Sequence, residues 1–233
     1  FFFKQKTAYE IPKRDWSSDV CSSDLGEMSI VDVATGNVAA RVKVGDEPEG
    51  VTVRPGGKEV YVTSEASHGV YVVDPAAKKL LVTIPVASKE GRPRSSIFTK
   101  DGATAFVSDE IGGAVDVIDA VGRKRIASIK ITGGNPPQPL PMGLAMTSDG
   151  KTVYVSTGRA GAIAVIDVAT RAQTGTIASV GARIWGIALS ADNTKLYTAN
   201  GPGGDVSVVD LASGKLEKKI ATGGSPWGVV VSR

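Results

Sequence analysis

The chain offers few side chains of the types that perform acid–base, nucleophilic or metal chemistry. Among 233 residues there is one histidine, His68, and one cysteine, Cys21. His68 stands in the stretch SEASHG, close after Glu65. A metal site or a general base usually needs a second imidazole or a converging carboxylate. We therefore expect His68 to be a surface residue, and no nucleophile, base and orienting group form a recognisable catalytic set.

Carboxylates are the remaining candidates for chemistry. Glu65 and Glu110 follow two similar stretches, VYVTS (60–64) and AFVSD (105–109), and therefore hold equivalent positions. The two side chains could share a cation, and Asp109 and Glu49 would add further oxygen ligands. Carboxylates on loops are more often simply solvated, and we expect that outcome for Glu65 and Glu110.

Composition excludes several classes of protein. The formal charge of +3 arises from 27 basic and 24 acidic residues, and no block of five like charges occurs. The sequence therefore gives no electrostatic case for a nucleic-acid partner or a membrane surface. No apolar run approaches the roughly 18 residues of a membrane span. The single cysteine excludes an internal disulfide and a cysteine metal cage.

A repeat organises the chain and must position these residues. An aspartate closes a V-x-V-[VI]-D stretch at Asp32, Asp74, Asp119, Asp167 and Asp210, with spacings of 42, 45, 48 and 43 residues. Each period holds four short runs of alternating apolar and polar residues, separated by turns such as SDGKT (148–152) and ADNTK (191–195). Four antiparallel strands per period indicate one blade of a β-propeller, which is stable only when neighbouring blades pack face to face. The recurring aspartates suit turn capping.

The count of strands predicts an all-β propeller domain over 26–233. The chain supplies a third and a fourth strand (MSIVDV and NVAARVKV), four complete units, and a first strand, WGVVVSR (227–233). About five blades are therefore present, and we favour an incomplete ring. Residues 1–25 show neither alternation nor the repeat, and they resemble translated adapter sequence. We treat 1–25 as foreign and the natural protein as truncated at its N-terminus, with any signal peptide outside this sequence.

Two sets of loops open onto one face of a propeller, and function usually lies there. The position just before each first strand varies while the scaffold repeats: Glu49, Arg94, Met142, Trp185 and Trp227. The second set of loops adds Glu65, Glu110 and Asn200. We predict that these eight residues bind a ligand or partner at the channel mouth. Alternatively, the two tryptophans plug the channel. The proline-rich connection TGGNPPQPLP (132–141) would form a lip, a docking edge or a tolerated insertion.

The motifs VYVTSE (60–65), VYVST (153–157) and LYTAN (196–200), each followed by a glycine-bearing loop and V-[IV]-D, resemble the YVTN-type propeller repeat. The stretches GRPRSSIFTKDG (91–102) and GGSPWGVVV (223–231) are similar to the subgroup associated with PQQ-dependent alcohol catabolism. That resemblance implies seven blades, a periplasmic location and a role beside quinoprotein dehydrogenases, with no established catalytic residues. The blade-docking tryptophan of the quinoproteins themselves is missing from DVATGNVAARV (32–42), which speaks against a PQQ-binding enzyme.

The residues and the resemblance together lead to two hypotheses for the function, from different classes of protein. The first is a non-enzymatic binding or scaffold propeller of the bacterial cell envelope, without metal or cofactor, whose ligand or protein partner is unknown. The alternative is a lactonase-type hydrolase that uses carboxylates and a divalent metal in the central channel. A haem-bearing propeller would need axial histidines, and a single histidine argues against it.

Overall fold

The computed structural model describes residues 25–135 and 138–232, so the proposed foreign segment lies almost wholly outside the described residues. The described secondary structure consists of eighteen strands and a one-turn 3-10 helix at Gly201–Gly203, apart from turns. They are β1 (Glu27–Val31), β2 (Val38–Lys43), β3 (Pro48–Val53), β4 (Val60–Ser64), β5 (Gly69–Asp74), β6 (Lys79–Pro85), β7 (Pro93–Phe98), β8 (Thr104–Asp109), β9 (Ala114–Asp119), β10 (Lys124–Lys130), β11 (Leu144–Met146), β12 (Thr152–Ser156), β13 (Ile163–Asp167), β14 (Ala172–Ile177), β15 (Ile184–Leu189), β16 (Lys195–Asn200), β17 (Asp205–Asp210) and β18 (Lys215–Ala221).

The strands form five antiparallel sheets in chain order. Strands β3–β6, β7–β10, β11–β14 and β15–β18 make four sheets of four strands, and within the described part of the chain β1 pairs only with β2. Each four-stranded sheet follows one sequence period, with consecutive strands as neighbours. The all-β architecture of four-stranded blades is therefore confirmed, with four complete blades and one of two strands. The total of seven blades stays a prediction.

The apolar faces of the strands pack between successive sheets. One core joins Tyr61 and Val72 of the β3–β6 sheet to Phe98 and Ile118 of the next sheet. Equivalent cores lie between β7–β10 and β11–β14, between β11–β14 and β15–β18, and between β1–β2 and β3–β6. Burial of these Val, Ile and aromatic side chains supplies roughly 25 cal/mol per Å² of apolar surface. The sheets therefore depend on one another, as blades do.

Successive sheets approach each other most closely through their first strands. Strand β7 contacts both β3 and β11, and β11 contacts β15, whereas the outer strands β6, β10 and β14 make weaker contacts. The sheets thus fan out from the first strands. We call the region where β3, β7, β11 and β15 come together the hub.

Hydroxyl groups of second strands bind the hub together. Thr63 Oγ1 donates to the Arg94 carbonyl at 2.8 Å, Ser108 Oγ to the Met142 carbonyl at 2.5 Å, and Ser156 Oγ to the Trp185 carbonyl at 2.8 Å. Each bond joins one sheet to the residue just before, or within, the first strand of the next. The same backbone position is therefore fixed in three consecutive sheets.

Turn chemistry agrees with the sequence. Gly150 and Asn193 have φ of 73° and 58°, the left-handed values expected of their hairpin turns. All five repeated aspartates accept backbone N–H groups of the following turn, as in Thr35 N to Asp32, Ala77 N to Asp74, Gly122 N to Asp119, Thr170 N to Asp167 and Ser213 N to Asp210. The prediction that they cap turns is confirmed.

The first strand predicted over 227–233 is wrong for the described part, 227–232, which carries no strand assignment. A strand needs a neighbour to complete its ladder of hydrogen bonds. Among the described residues no second strand pairs with this segment, and β1–β2 do not pair with it. Its link to the preceding sheet is the Gly186 amide, which donates to the Trp227 carbonyl at 3.1 Å.

Candidate functional site

The candidate site is a group of charged and aromatic side chains at the hub. We call it the hub-face cluster, and it comprises Glu49, Glu65, Arg92, Arg94, Glu110, Arg183, Trp185 and Trp227. Strands β3, β7 and β15 provide Glu49, Arg94 and Trp185, and the ends of β4 and β8 are followed by Glu65 and Glu110. The residues therefore come from three sheets and meet only in the folded chain.

Arg94 is the centre of the charges in this cluster. Its Nη1 lies 3.1 Å from Glu49 Oε1 and also donates to Glu65 Oε2. Its Nε lies 3.0 Å from Glu110 Oε2, close enough for an ion pair but without hydrogen-bond geometry. Arg92 pairs with the other oxygen of Glu65. One guanidinium thus serves three carboxylates at the junction of two sheets.

The expectation that Glu65 and Glu110 are solvated is wrong. Their exposed fractions are only 2% and 7%. Both side chains do share a cation, and that cation is the guanidinium of Arg94. Buried carboxylates of this kind are tolerated because they are paired. A divalent metal would have to compete with Arg94 for Glu49 Oε1, Glu65 Oε2 and Glu110 Oε2.

Two tryptophans extend the cluster across the hub. The Trp185 and Trp227 rings lie 4.5 Å apart between centroids and are inclined by 41°. The Arg183 guanidinium stands 5.2 Å from the Trp185 centroid, and the Arg94 guanidinium 6.0 Å from the Trp227 centroid. Both distances allow cation–π attraction. The four side chains form a stack from the β15–β18 sheet to Arg94, so side chains fill this part of the hub.

The two indoles differ in exposure. Trp185 packs against the Gly201 backbone, where a Cβ would lie 2.4 Å from its Cζ3 atom. Its Nε1 is buried and has no acceptor among the described residues. Trp227 is 55% exposed. The stack therefore combines an anchored indole with an indole that solvent or a partner can reach.

Two of the eight predicted site residues, Met142 and Asn200, are buried and do not belong to the hub-face cluster. Met142 is buried against Gly158. Asn200 is fully buried: Oδ1 accepts from Thr198, and Nδ2 donates to Asp205 and to Ser207. The structure therefore brings together Glu49, Arg94, Trp185, Trp227, Glu65 and Glu110, while Asn200 is engaged inside the β15–β18 sheet.

The other loop candidates have structural partners. His68 is half-buried, and its Nδ1 lies 2.7 Å from the Gly91 carbonyl. Asp109 is fully buried and accepts the Arg92 and Gly112 amides. In the proline-rich connection, Asn135 and Leu140 donate backbone bonds to Ala160 and Thr157, and 136–137 lie outside the described residues.

Residues 25–135 and 138–232 contain no group of three or more His, Cys, Asp or Glu side chains placed to hold a metal ion. Within the same ranges, no helix has the length and apolar character needed to traverse a bilayer.

Sequence reasoning missed Arg92, Arg183 and the small residues of the hub. A Cβ on Gly50 would lie 2.4 Å from the Arg94 carbonyl, and one on Gly143 would lie 2.5 Å from the Trp185 carbonyl. Glycine is therefore needed where first strands approach each other. The signal was available, because glycine follows the variable position in EG (49–50), MG (142–143), WG (185–186) and WG (227–228).

No protein-family model matches the chain, and no curated protein matches its sequence. Solved structures do match its fold. One is hydrazine synthase of Kuenenia stuttgartiensis, with a TM-score of 0.64, 18% sequence identity, and coverage of 89% of this chain and 84% of that chain. At this identity the likeness concerns the fold, and it agrees with the β-propeller architecture described above.

Proposed function

We propose that the protein is a non-enzymatic binding propeller of the bacterial cell envelope, and that the hub-face cluster contacts its partner. The observation that carries this proposal is the stack of Trp227 and Trp185 between Arg94 and Arg183. Tryptophan and arginine are the residues most enriched at binding hot spots. Trp227 presents a large exposed ring on a support that ion pairs and inter-sheet hydrogen bonds hold in place.

The identity that we propose for the partner rests on the sequence resemblance. Similarity to the propellers associated with PQQ-dependent alcohol catabolism favours a quinoprotein dehydrogenase as the partner and the periplasm as the location. The cluster carries three carboxylates and three guanidinium groups, so its charges balance and its recognition would depend on aromatic contact and specific polar pairs. Osmotic-shock fractionation of a host that expresses the complete gene would test the location.

A titration with a purified PQQ-dependent alcohol dehydrogenase tests the binding function. Trp227→Ala removes the exposed ring, and we expect at least a tenfold weaker Kd, as for a hot-spot tryptophan worth about 2 kcal/mol. Val230→Ala is the matched control, because Val230 is 88% exposed in the same segment and outside the stack. Its Kd should change less than about twofold. Equal affinities for the wild type and Trp227→Ala would count against the proposed site.

The lactonase alternative has one observation in its favour, which is the convergence of Glu49, Glu65 and Glu110. Those carboxylates are paired with Arg94, which competes with a divalent cation for the same oxygens. We therefore rank this function second. Hydrolysis of simple γ- and δ-lactones by the purified protein in the presence of Ca²⁺, lost in Glu49→Gln, would reverse that ranking.

A further inference from the structure

Two aspartates outside the hub-face cluster are buried side by side. Asp109 on β8 and Asp116 on β9 have exposed fractions of 0% and 1%. Asp109 lies opposite Ala114 and Asp116 opposite Val107, so the two side chains are diagonal neighbours on one face of the sheet. They lie beneath the 86–92 connection, which joins the β3–β6 sheet to β7.

Each carboxyl group has one bound and one unbound oxygen. Asp109 Oδ1 accepts the Arg92 amide at 2.8 Å and the Gly112 amide at 3.0 Å. Asp116 Oδ2 accepts the Ala87 amide at 2.7 Å. Asp109 Oδ2 and Asp116 Oδ1 are buried and have no donor among the described residues. A buried acceptor without a donor is costly, so each of these two oxygens requires a donor.

The repeat provides an internal comparison for this pair. Asn200 and Ser207 occupy the equivalent diagonal positions on β16 and β17. There, Asn200 Nδ2 donates to Ser207 Oγ at 2.8 Å, and Ser207 Oγ donates to the Val180 carbonyl of the incoming connection. These positions therefore bring two polar side chains into direct contact. In the β7–β10 sheet both side chains at these positions are carboxyls, and a proton on one of them is the smallest donor that would allow the same contact.

We propose that Asp116 holds a proton in the folded protein, so that its carboxylic O–H donates to the carboxylate of Asp109. The proton comes from solvent and returns to it, and no other bond changes. Two ionised carboxylates at this burial would repel each other, as in other paired acids. The inference is independent of the proposed binding function.

The electrostatics of Asp116 agree with this assignment. Burial raises the pKa of Asp116 above 3.8, and the charge of Asp109 raises it further. The Ser128 hydroxyl, which lies directly opposite on β10 but outside hydrogen-bond geometry with Asp116, opposes the rise, as do the Ala87 amide and Arg125. Arg125 Nη1 on β10 lies 3.8 Å from Asp116 Oδ2.

Other charged or titratable groups surround the pair without contacting its unbound oxygens. Lys130 Nζ donates to the Gly112 carbonyl at 3.2 Å. His68 Nδ1 lies against the Gly91 carbonyl, and Lys89 and Glu90 are on the 86–92 connection.

The protonation state of the aspartate pair should affect how firmly the 86–92 connection is held. The pair holds the Ala87 and Arg92 amides, and Arg92 leads directly to Arg94 of the hub-face cluster. Because the folded state favours the protonated pair, it binds more protons than the unfolded state at pH values above 3.8. The stabilisation is therefore complete below that value and is lost as pH rises through the raised pKa. Loss of the proton should loosen the 86–92 connection.

Thermal unfolding of Asp116→Asn against pH tests the proposal. Asparagine keeps an acceptor for the Ala87 amide and supplies a permanent donor to Asp109, as Asn200 does for Ser207. Relative to the wild type, we expect the variant to gain stability as pH rises from about 5 to about 8, reaching a Tm about 2–4 °C higher. Asp109→Asn should show the same trend, since either substitution removes the like charge. Infrared spectra should show a protonated carboxyl band in the wild type that Asp116→Asn lacks.

Asp119→Asn is the control with the opposite sign. Asp119 ends the same strand, and the Gly122 amide chiefly lowers the pKa of its carboxyl. This variant should lose stability relative to the wild type as pH rises. The proposal is overturned if Asp116→Asn is less stable than the wild type at pH 8, or if the carboxyl band is absent. It is also overturned if CaCl₂ stabilises the wild type but not Asp116→Asn, because the pair would then hold a cation.

Discussion

At the scale of single residues, the strand-end aspartates have one role in every period, and their pH dependence can be tested at Asp167. Its Oδ1 accepts the Thr170 amide and hydroxyl, both at 2.7 Å, and the amide bond chiefly lowers the pKa of the carboxyl below 3.8. The stabilisation is present above pH 3.8 and is lost as pH falls through the lowered pKa. We expect Asp167→Ala to reduce Tm by about 2 °C at neutral pH. The difference should shrink in acid, and a constant difference would contradict this role.

Arg94 is the residue whose removal should cost most at the hub. Arg94→Met leaves Glu49, Glu65 and Glu110 without their shared cation, and an uncompensated buried charge costs about 3–5 kcal/mol. Arg94→Lys should recover only part of that loss, because an ammonium cannot present the planar fork of donors. Urea unfolding gives the free energies.

Arg92→Met is the matched control for Arg94→Met. The Arg92 side chain is 43% exposed and forms its one ion pair among the described residues with Glu65, whereas the Arg94 side chain is 12% exposed. The control should therefore cost much less. Equal losses for the two methionine variants would mean that Arg94 is not the centre of the cluster.

Part of this site could be predicted from the sequence. The variable position before each first strand located Glu49, Arg94, Trp185 and Trp227, because the repeat fixes where a residue lies within its own blade. The burial of Glu65 and Glu110 could not be predicted. It depends on which residue of the next sheet faces them, and spacing along the chain does not contain that information.

At the scale of the element, the first strands need small residues where they approach one another. A Cβ on Gly143 would lie 2.5 Å from the Trp185 carbonyl, whereas a Cβ on Gly228 would have no neighbour within 4 Å. We expect Gly143→Ala to cost about 1–3 kcal/mol, as overpacking against a fixed backbone does. Gly228→Ala should stay within about 0.5 kcal/mol of the wild type. Similar unfolding free energies for both variants would contradict the close approach.

Strand positions were the most predictable feature, and the exception has a physical reason. Strands β5, β9, β13 and β17 end at the repeated aspartates Asp74, Asp119, Asp167 and Asp210, as the repeat predicts, since alternation and turn residues are local properties of the sequence. The stretch 227–232 repeats the WG and valine-rich pattern of a first strand but forms no ladder with any described strand. Pairing requires a neighbouring strand, and a local sequence pattern cannot predict whether that neighbour is present.

At the scale of the whole molecule, the sheets fan out from the hub, and every apolar core lies between two successive sheets. This arrangement explains why the repeat is regular along its strands and variable where the first strands begin, since Glu49, Arg94 and Trp185 are the second residues of β3, β7 and β15 rather than residues before them. The scaffold residues must fit the neighbouring sheet, whereas the residues at the hub face are held in place by backbone bonds and are free to differ. A binding role for that face is consistent with this division.

Distances between spin labels test the radial arrangement most directly. With Cys21 replaced by serine, one labelled pair is Lys58→Cys and Ala191→Cys, in turns between first and second strands, and the other is Ala77→Cys and Ala212→Cys, in turns between third and fourth strands. All four sites are exposed and belong to the same two sheets, β3–β6 and β15–β18. Sheets that fan from a hub predict a clearly shorter distance for the first pair than for the second. Equal distances would show a straight stack of sheets and would contradict both the propeller and the hub-face site.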